Sequence, residues 1–282
     1  MRIAVAALAL GLVQPCYAKV NDAGSGRLPM SASHLDATEG WTLTLGAAPI
    51  LSPAWQGSKD MAFSIYPDVR INHGDTIFAS VPDGVGWNAL NRDGWKAGPI
   101  AKIRFGRAES DGGSPFAVAG GSDALRGLGD IAAAAELGGF VEKRFGATSQ
   151  WRIRTEVRRG VGGHEGVIAD GSVSYQTRFG RTIISAGPRA TAASGNFMRT
   201  YFGIDAGQSQ RSGLTQYRPN GGFLSYGVGG TLVRPLDQRN TVTVFLGVDR
   251  LGNEAARSPL VRQRGQRTQF SIGVGYGFRF NL

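Results

Sequence analysis

The sequence predicts an all-β protein, a closed antiparallel transmembrane β-barrel of about twelve strands, within about ten to fourteen. Three observations lead there. The chain opens on an export signal, its strands alternate apolar and polar residues over a membrane-spanning length, and the connections between strands are alternately short and long.

Met1-Arg2 is a basic start, residues 3–13 are an unbroken apolar run, and Cys16-Tyr17-Ala18 has the small-x-small pattern of a cleavage site. That is the anatomy of a secretory signal peptide, and the apolar run is too short to cross a bilayer as a helix. Residues 1–18 are therefore expected to leave by cleavage after Ala18. Residues 13–15, Val-Gln-Pro, lack the small side chains of a lipid-attachment site at Cys16. Loss of Cys16 would leave no cysteine, which excludes disulfides, thiolate metal sites and a thiol nucleophile in the mature chain. Residues 19–39 show no periodicity and many small polar side chains, and form a periplasmic leader; residues 40–282 form the barrel.

Composition agrees with one β domain. Glycine supplies 43 of 282 residues, only 18% of residues are charged, and no later segment is apolar enough for a helical span. In a barrel wall, lipid-facing and lumen-facing residues alternate and average out. The formal charge of +10 would ordinarily raise nucleic acid as a partner. Export removes that partner, and the basic residues are spread along strands, so outer-membrane lipid and lipopolysaccharide are the expected surroundings.

The last strand is the plainest. Phe270, Ile272, Val274, Tyr276, Phe278 and Phe280 alternate with Gln269, Ser271, Gly273, Gly275, Gly277 and Arg279. Six large apolar side chains on one face suit hydrocarbon better than a soluble sandwich. The same alternation marks 61–71, 95–105, 151–161 and 241–248. Short connections fall at 72–75, 91–94, 145–150, 179–181 and 235–240. Longer ones fall at 50–58, 108–129, 160–167, 191–221 and 251–265. With 76–82 and 85–90 as two strands joined at Pro82-Asp83-Gly84, this gives twelve strands and both termini on the periplasmic side.

Several blocks, taken in order, resemble one family. They include Ser52-Pro53-Ala54-Trp55-Gln56-Gly57-Ser58, His73-Gly74-Asp75, Gly94-Trp95-Lys96-Ala97-Gly98-Pro99 and Phe105-Gly106-Arg107. Leu125-Arg126-Gly127-Leu128-Gly129-Asp130, Gly162-Gly163-His164-Glu165-Gly166, Tyr201-Phe202-Gly203, Arg211-Ser212-Gly213-Leu214 and Ser258-Pro259-Leu260-Val261-Arg262 follow. From about residue 40 to 280 the chain resembles the MltA-interacting protein (MipA/OmpV) family of outer-membrane β-barrels. The resemblance implies a scaffold for a murein hydrolase or synthase, with adhesion or small-solute passage as alternatives, and carries no catalytic residues.

Catalysis finds little support in the residues themselves. His34, His73 and His164 fall in the leader, a periplasmic turn and an external loop, where they are expected as solvated polar residues. His164-Glu165, with Asp111, Asp123 and Asp130 in another loop, is the one conceivable gathering on one side of the barrel. Metal-ligand spacing is absent, and no cofactor is implied.

Strand parity instead directs attention to the lumen. Arg70, Lys96, Lys102, Arg104, Arg152, Arg154, Arg158, Arg178, Arg267 and Arg279 are expected to point inward, with Asp68, Glu136, Glu142 and Glu156 as partners. A charge inside a barrel must be hydrated or paired. Two arrangements satisfy that demand: a lumen plugged by a salt-bridge network, or a narrow water-filled path favouring anions. Twelve strands enclose less room than a porin, which favours the plug. The second candidate is the loop 191–221, where Phe197, Tyr201, Phe202 and Tyr217 mix with Arg199 and Arg211. Such a mixture suits either a binding surface or a lid folded into the barrel mouth.

Overall fold

The computed structural model describes residues 40–112 and 115–282. The signal segment, the cleavage point, the leader and His34 lie outside these residues. Fourteen strands form one sheet. The long ones are β1 (Trp41–Pro53), β2 (Met61–His73), β6 (Trp95–Arg104), β8 (Ala134–Phe145), β9 (Trp151–Gly162), β10 (Val167–Phe179), β11 (Thr182–Ala193), β12 (Gly222–Pro235), β13 (Asn240–Leu251) and β14 (Thr268–Asn281). Four short ones are β3 (Ile77–Ser80), β4 (Gly84–Trp87), β5 (Leu90–Arg92) and β7 (Ala117–Gly120).

Closure comes from β1, which pairs antiparallel with β14 on one side and with β2 on the other. The ring then runs through β3, β4, β6 and β8 to β14, twelve strands in all, with β5 and β7 as side pieces. Every neighbouring pair is antiparallel, so an even number closes the ring with both ends on one side. Closure leaves no free edge around most of the wall, which is what hydrocarbon demands of a backbone.

Burial follows the period-two pattern. On β14 the even positions Phe270, Ile272, Val274 and Tyr276 are 37–47% exposed, while Gln269 and Ser271 are buried. The exposed set continues round the ring through Leu246, Val228, Ile184, Val157, Leu137, Ile103 and Phe63. Large apolar side chains turned outward on every strand make sense only against lipid. No described helix is long and apolar enough to cross a membrane.

Inside, a small cluster of Ala48, Ile50 and Phe245 sits against Tyr66. Gly273 on the neighbouring strand is required there, because a Cβ would strike the Phe245 ring. The larger apolar core lies at the external end. It joins Trp55 from the β1–β2 connection, Leu125 and Leu128 from the β6–β8 connection, and Leu260 and Val261 from the β13–β14 connection. The β11–β12 connection adds residues from α1 (Gly195–Phe202), Ile204 and Leu214 after α2 (Ala206–Ser212), and strand ends add Ile168, Leu224 and Leu251. Helices α3 (Asn253–Ala256) and α4 (Pro259–Arg264) complete this cap.

Three local details depart from the sequence expectation, the first being that β1 runs through 50–53, expected as part of a connection. Residues 160–167 are mostly strand, and the external turn is only 163–166. The long connection after β6 is not all loop, because β7 leaves it to pair with β2.

Candidate functional site

Strands β6, β8, β9 and β10 carry charged residues on their inner face, and register brings them level. Lys102 faces Glu136, Glu142 faces Arg154, and Asp170 faces Glu156 across neighbouring strands. The side chains then connect along the barrel axis. At the periplasmic end, Glu142 receives Arg144 at 3.1 Å, Arg152 at 3.2 Å and Arg154 at 3.1 Å. Arg154 passes on to Glu156 at 2.9 Å, which also takes Lys102 at 3.1 Å and Arg158. Arg158 reaches Asp170 at 2.9 Å and Glu136 at 2.8 Å. Glu136 ends the chain by accepting Arg104 at 2.5 Å and meeting His164 Nε2 at 3.2 Å.

Glu136, Glu142, Glu156 and Arg158 are all under 5% exposed. Charges so deep persist only when each has a partner, because desolvation outweighs the attraction of a poorly made pair. Arg158, which touches three carboxylates through three nitrogens, makes the kind of charge-assisted contacts that compensate.

The remaining candidates lie off this ladder. Arg70 holds Asp68 at 2.7 Å and reaches Asp83 at 3.5 Å. Lys96 pairs with Asp75 at the periplasmic rim, where Arg178 also stands, exposed. Arg267 is at the opposite end, donating to the Leu251 carbonyl at 2.8 Å. Parity also places Arg189 and Asp249 inside, paired with each other across β11 and β13 (Nε to Oδ1, 2.9 Å).

Between the ladder and the hydroxyl-rich wall of β10, β11, β12 and β14 lies a cavity of about 270 Å³. It runs from the rim at Gly74, Asp75 and Asn88 to Gln56, Leu251 and Gln269 beneath the cap. One half of its wall offers guanidinium and carboxylate groups, and the other offers Ser172, Ser174, Ser185 and Thr231.

The aromatic loop candidates are not on the surface. Phe197, Tyr201 and Phe202 are at most 3% exposed and pack into the cap. The expectation of an exposed aromatic surface is therefore corrected for these three; the lid arrangement is the one present. Burial has a clear cause, since Arg104 lies over the Phe197 ring at 5.1 Å and Arg107 donates to the Tyr201 carbonyl at 2.9 Å. Arg211 stays exposed, and Arg199 is half-buried. Tyr217 donates to the Glu254 carbonyl at 2.9 Å, and burial first, then the Glu254 charge, pushes its phenol up from the ordinary value.

His164 is a second correction. Expected in water, it is 2% exposed, bonded to Glu136 and set edge-on to Phe197 at 5.0 Å. The glycines around it let the short turn fold inward. His73 ends β2 against the Trp41 ring at 4.7 Å. Among the described residues, no group of three His, Cys, Asp or Glu side chains could hold a metal ion. Parity could have found Asp170, Arg189 and Asp249; nothing local signals that His164 turns inward.

A closed twelve-stranded ring, apolar outside and charged within, defines the class: this is an outer-membrane β-barrel. The sequence matches the family model described as MltA-interacting protein MipA over residues 45–280, and the chain belongs to that family. No curated protein matches it significantly. Among solved structures it is similar to an outer membrane channel from Pseudomonas putida F1, at 12% identity and TM-score 0.45, covering 87% of this chain and 97% of the other. The NanC porin follows at 12% identity and TM-score 0.34, covering 85% and 99%. An anion-selective porin from Comamonas acidovorans gives 10% identity and TM-score 0.30, covering 87% and 100%.

Proposed function

We propose that this barrel is a non-enzymatic envelope scaffold that holds a peptidoglycan-remodelling enzyme, a murein hydrolase or synthase, at the inner face of the outer membrane. The observation that carries this is membership of a family named for interaction with MltA. Its placement supports the same reading. The external connections are spent on a buried cap, whereas the periplasmic end keeps the rim of the cavity and the short turns. Turns alone offer little area for a stable complex, so the leader is assigned a share of the contact.

An anion-favouring pore is the second reading, resting on the cavity and its guanidinium wall. The apolar cluster across the external mouth weighs against it, as does the pairing of the ladder cations with carboxylates. An adhesin would need its aromatic loop residues outside, where Phe197, Tyr201 and Phe202 are not.

Photo-crosslinking in intact cells tests the scaffold. Reactive residues at the periplasmic turn positions Thr148 and Arg239 are expected to capture a murein hydrolase or synthase, and those at the external positions Gln210 and Asn253 are not. If the folded barrel yields no such enzyme from any periplasmic position, the leader included, the scaffold reading fails.

A further inference from the structure

One part of the wall is built differently from the rest. Strand β2 pairs with β1 over its whole length, from Met61 to His73. Its other edge is shared by two short pieces. At the periplasmic end, His73 to Arg70 pair with β3. At the external end, Ala62 to Ser64 pair with β7, through a register shift between Phe63 and Ser64. The β3–β4 hairpin therefore stops partway up the barrel, its turn at 81–83 level with Val69, whose carbonyl accepts from Val81 at 3.4 Å.

Above that turn the ring is not closed by strand pairing. Strand β4 meets β6 only through Val85 with Ala101 and Gly86 with Ile100. Among the described residues, no strand pairs with β6 beyond Ala101 on that side, and β7 pairs with none but β2. The Ile65 N–H donates to the Phe116 carbonyl at 3.0 Å, so Phe116 belongs to the β2 side, and a ring contact crosses from there to Phe105. Tyr66 of β2 meets Phe116 at 4.9 Å, and Phe116 meets Phe105, just past β6, edge-on at 5.4 Å. Ring contacts can separate and re-form without the cost of breaking a ladder of hydrogen bonds.

The outer rim of this interval is apolar and lies within the lipid-facing band. Ile103 on one side is 68% exposed and Val118 on the other is 63% exposed. Behind it stands the lumen cavity, whose wall here is Ala79, Pro82, Asp83 and Lys102. Asp83 is drawn inward onto Arg70 and also accepts from Ser80 Oγ at 3.0 Å, so the hairpin tip is fastened from the lumen side.

We infer that the interval between β6 and β7 is a lateral portal joining the lumen cavity to the bilayer, closed by the Tyr66–Phe116–Phe105 row, and that it admits one acyl chain of a surrounding membrane lipid. The occupant follows from the setting. Hydrocarbon is what touches Ile103 and Val118, and a flexible chain fits between rings where a polar solute would lose its water. Nothing in this inference depends on the scaffold role.

The test places a photo-reactive side chain by Tyr66→benzoylphenylalanine in the full chain, folded into vesicles of phosphatidylethanolamine and phosphatidylglycerol. Adducts are identified by mass spectrometry, and folding is checked by heat-modifiable migration. An outward control at Val85 should be labelled by lipid, and an inward control at Thr243, which does not line the cavity, should not. The inference expects phospholipid adducts at Tyr66, and a several-fold rise when Phe105→Ala and Phe116→Ala are added. Should the Tyr66 variant fail to fold, Phe116→benzoylphenylalanine gives the same readout. Labelling at Val85 with none at either inward ring position overturns the portal, and so does a yield unchanged by removing the rings.

Discussion

His164 Nε2 lies 3.2 Å from Glu136 Oε1, at the point where the charge ladder of the lumen meets the aromatic underside of the external cap. One hydrogen bond thus joins the two features that fill the barrel. Replacing His164 with alanine removes it together with the ring contacts to Phe197 and Tyr201. The expected cost is about 2 kcal/mol, the scale of a buried hydrogen bond to a charged group. It should appear as faster proteolysis within 195–221 while the strands stay protected.

Glu136 answers for Arg104, Arg158 and His164 at once. Glu136→Gln leaves two guanidinium groups facing a neutral amide, and a loss of about 3–5 kcal/mol is expected, as for breaking a buried pair. Denaturant unfolding in detergent measures it. Adding Arg104→Met should recover part of the loss, because Arg104 pairs with Glu136 whereas Arg158 keeps Glu156 and Asp170, and a strictly additive double variant would show that the two are not coupled.

The lipid-facing stripe predicts a depth-dependent penalty. Val274→Arg sits mid-strand on β14, on the exposed face, and should destabilise folding into vesicles by about 2–4 kcal/mol. Thr231→Arg, on the inner face of β12 where it lines the cavity, should cost less, because water is within reach there. Equal losses would contradict the assignment of faces.

Conductance follows from the cap. The full chain in planar bilayers should stay silent even at high protein load. Deleting 195–213, which removes Phe197, Met198, Tyr201, Phe202 and Ile204 from the apolar cluster, should produce discrete steps. Steady current from the intact protein would contradict a sealed mouth.

Tyr217 gives the cap a pH dependence of known sign. Its phenol is raised by burial and then by Glu254, so the neutral form is the one the folded cap favours. That contribution is complete below the ordinary tyrosine value near 10 and is lost as pH rises through the higher folded value. Protection of the external loops should therefore weaken in strongly alkaline buffer, and Tyr217→Phe should flatten that part of the profile.

The wall was legible because its signal is local. Alternation along 270–280 or 151–161 states both the strand and which face meets lipid, and the same parity turns Arg154, Glu156 and Arg158 inward. The cap was not, since an aromatic cluster such as Phe197, Tyr201 and Phe202 reads alike whether it awaits a partner or packs on its own chain. Burial of His164 depends on a turn folding inward over Glu136, twenty-eight residues earlier. The four residues of β7 are too few to announce a strand, and their partner β2 lies more than fifty positions away.

Arg264 donates to the carbonyls of Ala124 and Arg126 and to that of Ser212, tying three external connections with one side chain. Gln269, five residues on, holds the backbone of Gly57 and Ser58 in a fourth, the β1–β2 connection. Both knots lie near the end of the chain. The stopper over the outside medium therefore hangs on the last hairpin, and a barrel without that hairpin would lose the ties that hold its other connections together.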